Sequence, residues 1–298
     1  MPGSGRGAGA GHRSARGDRR PRDRSGRAGR YRPRSLIDRY LARVGLDGSD
    51  LSLEALHRAH VQSIPYENLD IHLGREIRID IDSLVSKLVD GRRGGYCYEH
   101  NLLFATVLEN LGFSVTRLLG RVRLGDPVNP RPATHMVLFV GGTAPGSHAE
   151  RVVVDVGFGS ATPLGPVPLD GAATYGAWTW STARLVAPEG EEVWAMRVND
   201  VLLYTFSEEP RHPIDYVTPN HFSSTHPMSV FVQAPTVQRS EDRRQLTLHG
   251  TDLTERRPDA SMTVTPVDPD DYGALLHDTF HLDLPPDDLG ALVRALRA

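Results

Sequence analysis

The stretch Arg93-Gly94-Gly95-Tyr96-Cys97-Tyr98-Glu99-His100-Asn101 decides how the rest of the chain is read. Its two glycines run into a segment, Cys97 to Leu111, in which Leu102, Leu103, Ala105, Val107 and Leu108 cover most of a helical surface. A helix apolar on so many sides is a buried one, and Gly112 is its natural stop. Cys97, the only cysteine, falls in the first turn. There the unpaired N–H groups and the positive end of the helix dipole favour a thiolate. The glycines permit a tight turn and a close approach of substrate to sulfur. The competing reading makes a lone cysteine a small buried hydrophobe.

A nucleophilic cysteine needs a base, and the base needs an orienting group. Among thirteen histidines, His135 stands on the apolar strand Thr134–Val140, and a Gly-rich loop separates it from the strand Arg151–Val156. With Val140 opposite Glu150, His135 faces Asp155 across the hairpin, where Cβ atoms are about 5 Å apart. Taken singly, His135 also reads as a satisfied core histidine and Asp155 as a strand-end turn former. Taken together they are harder to dismiss, because an unpaired carboxylate between Val154 and Val156 is costly to bury. His100, three residues after Cys97 on the same face, is the second choice, with no evident orienting acid.

Outward from this core, Leu36, Ile37, Tyr40, Leu41 and Val44 recur at helical spacing and Gly45 stops them. Further helices are predicted over Ser52–Ser63, closed by Ile64-Pro65, and over Ile81–Leu88. After Gly112 short strands follow: Val115–Val122, Thr134–Val140, Arg151–Val156, Arg184–Ala187, Val193–Val198 and Leu202–Phe206. From Pro213 onward the pattern gives an extended segment at Ser229–Ala234, strands at Gln245–His249 and Met262–Pro266, and a helix at Pro286–Leu296.

The 298 residues are 39% hydrophobic and 24% charged, and no run of 18 apolar residues occurs. No secretory leader is evident, and one cysteine forms no internal disulfide, so the expected compartment is the cytoplasm. Residues 1–34 hold eleven Arg and two Asp, a local charge of +9 within a net charge of -3, leaving -12 on the remainder. This Arg/Gly-rich extension is expected to be disordered. It reads either as a tether to nucleic acid or an anionic surface, or as a dispensable extension. With one lysine, Lys87, against 33 arginines, coding bias accounts for the basic residues better than phosphate binding does.

The Arg93–Asn101 segment resembles the active-site signature of the arylamine N-acetyltransferase family. Ser63-Ile-Pro-Tyr-Glu-Asn-Leu-Asp-Ile71 is similar to the family's upstream segment, and Thr134-His135-Met136 to its histidine strand. Val154-Asp155-Val156-Gly157-Phe158-Gly159 resembles its aspartate strand and glycine loop, and Asn220–Phe231 a later motif near the coenzyme A cleft. The pieces occur in the family's order from about residue 35 to the end of the chain. The resemblance implies an α+β fold with a cysteine-protease-like catalytic core. Its expected parts are a helical bundle over 35–113, a β-barrel over 114–212 and an α/β lid over 213–298. It implies ping-pong transfer from acetyl-CoA, through a Cys97 thioester, to an arylamine, hydrazine or N-hydroxyarylamine, as in xenobiotic metabolism. Cys97, His135 and Asp155 would form the catalytic triad. Glu67 and Arg93 would be a buried ion pair that positions the cysteine loop. Gly157, Gly159 and Phe222 fall where coenzyme A contacts are expected, and turn or packing roles suit them equally. No metal, nucleic acid or membrane partner is expected, and the protein would be a monomer or homodimer.

Two departures stand out: the loop Gly141–Glu150, with Pro145 and His148, is longer than usual, and the Arg-rich extension has no counterpart. Three other readings remain open. An amide synthase or acyltransferase of the same fold would use a larger or carrier-bound acyl donor in secondary metabolism. A cysteine protease or transglutaminase-like enzyme shares the triad logic, but the papain-type Cys-Gly-Ser-Cys-Trp context is absent. A nucleic-acid-binding protein would use the basic extension, but the body is acidic.

Overall fold

The computed structural model describes Gly3 and residues 35–124, 131–141, 151–188 and 190–297. The proposed disordered extension, and Pro145 and His148 in the long loop, lie outside the described residues. Residues 34–298 form one compact unit.

Five helices come first: α1 Leu36–Val44, α2 Leu53–Ser63, α3 Leu69–His72, α4 Ile81–Leu84 and α5 Cys97–Asn110. Their ends are written in local chemistry. Ser35 and Ser52 cap α1 and α2 by accepting from Asp38 N and Ala55 N, and Gly45 ends α1 at φ 77°, a left-handed conformation that glycine adopts without steric cost. The predicted helix Ile81–Leu88 is only α4; the chain then widens into a π-helical turn over Val85–Asp90. Helix α5 is buried over most of its length, with Leu103, Phe104, Ala105, Val107 and Leu108 fully covered and only Glu109 and Asn110 of its last turn exposed. Each large apolar side chain so covered stabilises the fold by about 1.5–3 kcal/mol.

A short strand β1, Tyr66–Glu67, precedes α3. Eight strands follow α5: β2 Ser114–Val122, β3 Ala133–Gly141, β4 Arg151–Val154, β5 Val167–Pro168, β6 Gly171–Tyr175, β7 Trp178–Val186, β8 Glu192–Val198 and β9 Val201–Phe206. They form one antiparallel sheet in the order β5-β4-β3-β2-β9-β8-β7-β6. Its two edges are consecutive in sequence, and Thr182 Oγ1 on β7 bonds Pro168 O and Asp170 N beside β5. The sheet is therefore curled into a nearly closed barrel, which leaves little edge exposed. The strand expected at Arg184–Ala187 is the tail of the longer β7, whose inward row Trp178, Trp180, Thr182 ends on a buried polar residue that interrupts the apolar alternation.

The remainder holds α6 Val217–Thr225, α7 Val230–Gln233, strands β10 Thr236–Ser240, β11 Gln245–His249, β12 Asp252–Arg256 and β13 Met262–Pro266, then α8 Tyr272–Phe280 and α9 Pro286–Leu296. The segment expected to be extended at Ser229–Ala234 is instead the helical turn α7. Ser229 caps it by accepting from Phe231 N, and Asn68 Nδ2 donates to Phe231 O and Ala234 O at 2.8 and 3.0 Å. Strand β1 joins the second sheet, in the order β1-β10-β11-β12-β13. A strand from the helical region thus completes the sheet of the C-terminal region. A second core of Val237, Leu246, Leu248, Tyr272, Leu276 and Phe280 lies under α8. Among the described residues no helix is long and apolar enough to cross a membrane.

Candidate active site

Cys97 is the first residue of α5 and only 3% exposed. Its Sγ lies 3.6 Å from Thr134 O at the start of β3, and Tyr98 Oη donates to the same carbonyl at 2.6 Å. The helix start is fixed by Glu99, whose Oε2 accepts from Tyr96 N at 3.0 Å. The loop before it is pinned by Glu67 N, which donates to Gly95 O at 2.8 Å. The role of the two glycines differs from the sequence expectation. A Cβ on Gly94 would stand 2.8 Å from Glu67 Cγ, and one on Gly95 would stand 2.6 Å from Glu99 Oε2. Neither has a positive φ; Gly95 makes room for the buried Glu99 carboxylate, and Gly94 chiefly for the backbone carbonyl of Pro65, with Glu67 beside it.

His135 and Asp155 are brought together, though not in the expected register. Leu138 pairs with Val154 and Val140 with Val152, so the hairpin is displaced by two residues and β4 ends at Val154. A shift of two preserves the face of each side chain. The pair therefore meets diagonally, with His135 Nε2 donating to Asp155 Oδ2 at 2.7 Å. Asp155 occupies Nε2 and leaves Nδ1 for another partner; Cys97 lies near enough to the ring to favour its charged form. Burial disfavours the charged imidazole, but the Asp155 charge and hydrogen bond outweigh it, and with Cys97 they carry His135 up to about 10. Burial likewise acts against the Asp155 carboxylate, and the imidazolium beside it holds it below its ordinary value.

Two residues of this centre were not picked out from sequence. Asn101, one turn after Cys97, donates through Nδ2 to Met136 O at 2.8 Å and to Asp155 Oδ1 at 3.0 Å. Its Oδ1 accepts from Val156 N at 3.1 Å, so it ties α5 to both strands that carry the pair. Its position four residues after Cys97 was the available signal. The Tyr204 ring on β9 lies tilted 4.7 Å from the His135 ring, with Phe158 edge-on at 5.0 Å. Burial, and behind it the Asp155 charge, holds the Tyr204 phenol well above its usual range.

His100 has other work. It lies in a buried chain in which Tyr40 Oη meets His60 Nδ1 and His60 Nε2 meets His100 Nδ1, each at 2.9 Å. His100 Nε2 donates to Pro65 O at 3.2 Å. Among the described residues no carboxylate hydrogen-bonds to these rings, and burial pushes His100 down to about 4. Glu67 and Arg93 do form an ion pair, at 2.8 Å, and Asp70 extends it at 3.1 Å. Gly157 N donates to Asp155 Oδ1 at 3.0 Å, and a Cβ there would stand 3.0 Å from Cys97 Cα. Gly159 has φ 81° beside the Gln238 side chain, and Phe222 on α6 stacks on His226 at 4.5 Å.

A buried cysteine at a helix start, an imidazole beside it and a carboxylate behind the imidazole form an arrangement suited to acyl transfer. A family model described as N-acetyltransferase matches residues 51–289. The arylamine N-acetyltransferase of Mycolicibacterium smegmatis is 43% identical over 233 residues, 74% of this chain and 82% of that protein. The solved structure of the arylamine N-acetyltransferase from Mycobacterium abscessus superposes with a TM-score of 0.80 at 34% identity, covering 88% of this chain and 95% of that one. That of Mycobacterium marinum, in complex with CoA, gives 0.77 at 33% identity over 87% and 98%. With the family model spanning residues 51–289 and the fold shared over 88% of the chain, this chain belongs to the arylamine N-acetyltransferase family.

Proposed function

We propose that the chain transfers acetyl from acetyl-CoA to the nitrogen of an arylamine, hydrazine or N-hydroxyarylamine by a two-stage reaction through Cys97. In the first stage His135 holds the proton of the Cys97 thiol as an imidazolium, the thiolate attacks the acetyl carbonyl, and the bond to the CoA sulfur breaks. The proton on His135 leaves with the CoA thiol, and acetyl remains on Cys97 as a thioester. In the second stage the amine nitrogen attacks that thioester, its proton passes to His135, and the Cys97 thiol is restored. Asp155 keeps the ring oriented and balances the imidazolium in both stages.

The observation that carries this reading is the 2.7 Å bond from His135 Nε2 to Asp155, with Cys97 at the helix start beside the same ring. The CoA-bound relative of the same fold supports the donor. Gly157, alongside Cys97, Gly159 and the half-buried Phe222 are the proposed CoA contacts. Residues 213–298 are the proposed lid, with Phe231 against the rings of Tyr66 and Tyr96 at 6.3 and 5.4 Å. Aromatic faces so placed suit a flat acceptor ring.

The test is intact mass after mixing with acetyl-CoA alone. One acetyl increment, lost on adding a hydrazine and absent from Cys97→Ala, is the expected result. An adduct that survives Cys97→Ala, or none at all, rules the thioester out. A panel of longer acyl-CoAs and carrier-bound acyl groups, giving faster adduct formation than acetyl-CoA, would move the assignment to an amide synthase.

A further inference from the structure

Beneath the cysteine loop lies a knot of buried charge that the reaction above does not use. Lys87, the only lysine in a chain with 33 arginines, sits in the π-helical turn Val85–Asp90. Turns of this kind are rare and recur at functional sites. The side chain is 18% exposed, and its Nζ reaches Glu99 Oε1 at 2.7 Å and Asp70 Oδ2 at 2.8 Å. Glu99 itself is 1% exposed and spends its second oxygen on Tyr96 N, the residue before Cys97. Glu67 from β1 and Arg93 from the loop are the other charges facing this group, and Arg75 links Asp70 to Asp288 on α9.

A compact ammonium suits a point shared by two carboxylates, where the planar fork of arginine does not fit as well. Burial already pushes the Glu99 carboxyl above its ordinary range, and Lys87 opposes that push. Without the cation, the Glu99 carboxyl would be pushed further up and would hold a proton more readily. It would then cap Tyr96 N as a neutral acid, without the negative charge that the helix start favours.

We propose that Lys87, acting through Glu99, is a positioning residue for Cys97: it keeps the carboxylate that caps the nucleophile's helix ionised and in place. This rests on the reading of Cys97 as the nucleophile. The experiment is alkylation of Cys97 by iodoacetamide across a pH series, followed by intact mass, in K87M, K87R, E99Q and K87M/E99Q. K87M is expected to alkylate more slowly on the order of tenfold at neutral pH, with its pH profile displaced upward, and K87R to recover much of that rate. E99Q is expected to be slowed alike, and the double variant no slower than either single one. A folded K87M with the wild-type profile and only a lower melting temperature would make Lys87 a mere strut, and overturns the proposal. Losses that add in the double variant overturn it as well. Should K87M not fold, E99Q decides: a displaced profile supports the idea and an unchanged one ends it. Alkylation needs neither acyl donor nor amine, so this outcome is separate from whether acetyl transfer is found.

Discussion

At the scale of single residues, the centre depends on who holds Asp155. His135, Asn101 and Gly157 N all bond its carboxylate, so the acid is both a reactant's partner and a strut. Asp155→Asn should lower kcat by about 10³-fold or more and also lower the melting temperature; near-normal turnover would remove Asp155 from the triad. Asn101→Ala leaves Asp155, Met136 O and Val156 N each short of a bond inside the protein. A loss of about 2–4 kcal/mol in urea unfolding follows, with a drop in kcat and little change in KM. A variant as stable as wild type would show that water replaces all three bonds. Cys97, His135 and Asp155 were legible in sequence because their types are chemically unusual where they stand. Asn101 and Lys87 were not, because their importance comes from partners 54 residues away (Asp155) and 12 residues away (Glu99), whose meeting only the fold reveals.

At the scale of elements, legibility followed the caps. Helices α1, α2, α5 and α9 have apolar spacing bounded by Ser, Gly or Pro, and all were read to within about two residues. Strands β10 and β12, Thr-Val-Gln-Arg-Ser and Asp-Leu-Thr-Glu-Arg, carry too few apolar residues to show alternation; they are strands because β11 lies between them and pairs with both. The hairpin register depended on a loop whose length the sequence could not translate into pairing. The segment around α7 shows how one element is held by another. Asn68 donates to Phe231 O and Ala234 O, and its Oδ1 accepts from Thr236 N at 2.6 Å. Asn68→Ala frees α7, and with it Phe231. The expected result is a KM for the amine raised several-fold while the rate of Cys97 alkylation stays as it was. An unchanged KM would separate α7 from acceptor binding.

At the scale of the whole molecule, buried histidines set opposite pH limits. Burial holds His57 and His100 at about 4, against 6.5 when free. As pH falls from 6.5 toward 4 the unfolded chain takes up protons that the native chain refuses, so stability drops. His135 is raised to about 10. Its contribution is complete below 6.5 and is lost as pH climbs toward 10. Urea unfolding should therefore give greatest stability near pH 6.5, with a loss at about pH 5 and at about pH 9. A curve that rises steadily on acidification would mean that the buried histidines are charged in the native state.

The burial of Lys87 between two carboxylates reaches beyond catalysis. The chain's single lysine and single cysteine are both spoken for inside the protein. Its exterior thus offers little side-chain amine to succinimidyl esters or aldehyde fixatives. One surface lysine, introduced anywhere away from the cleft, would become a distinctive handle for a dye, a spin probe or attachment to a solid support.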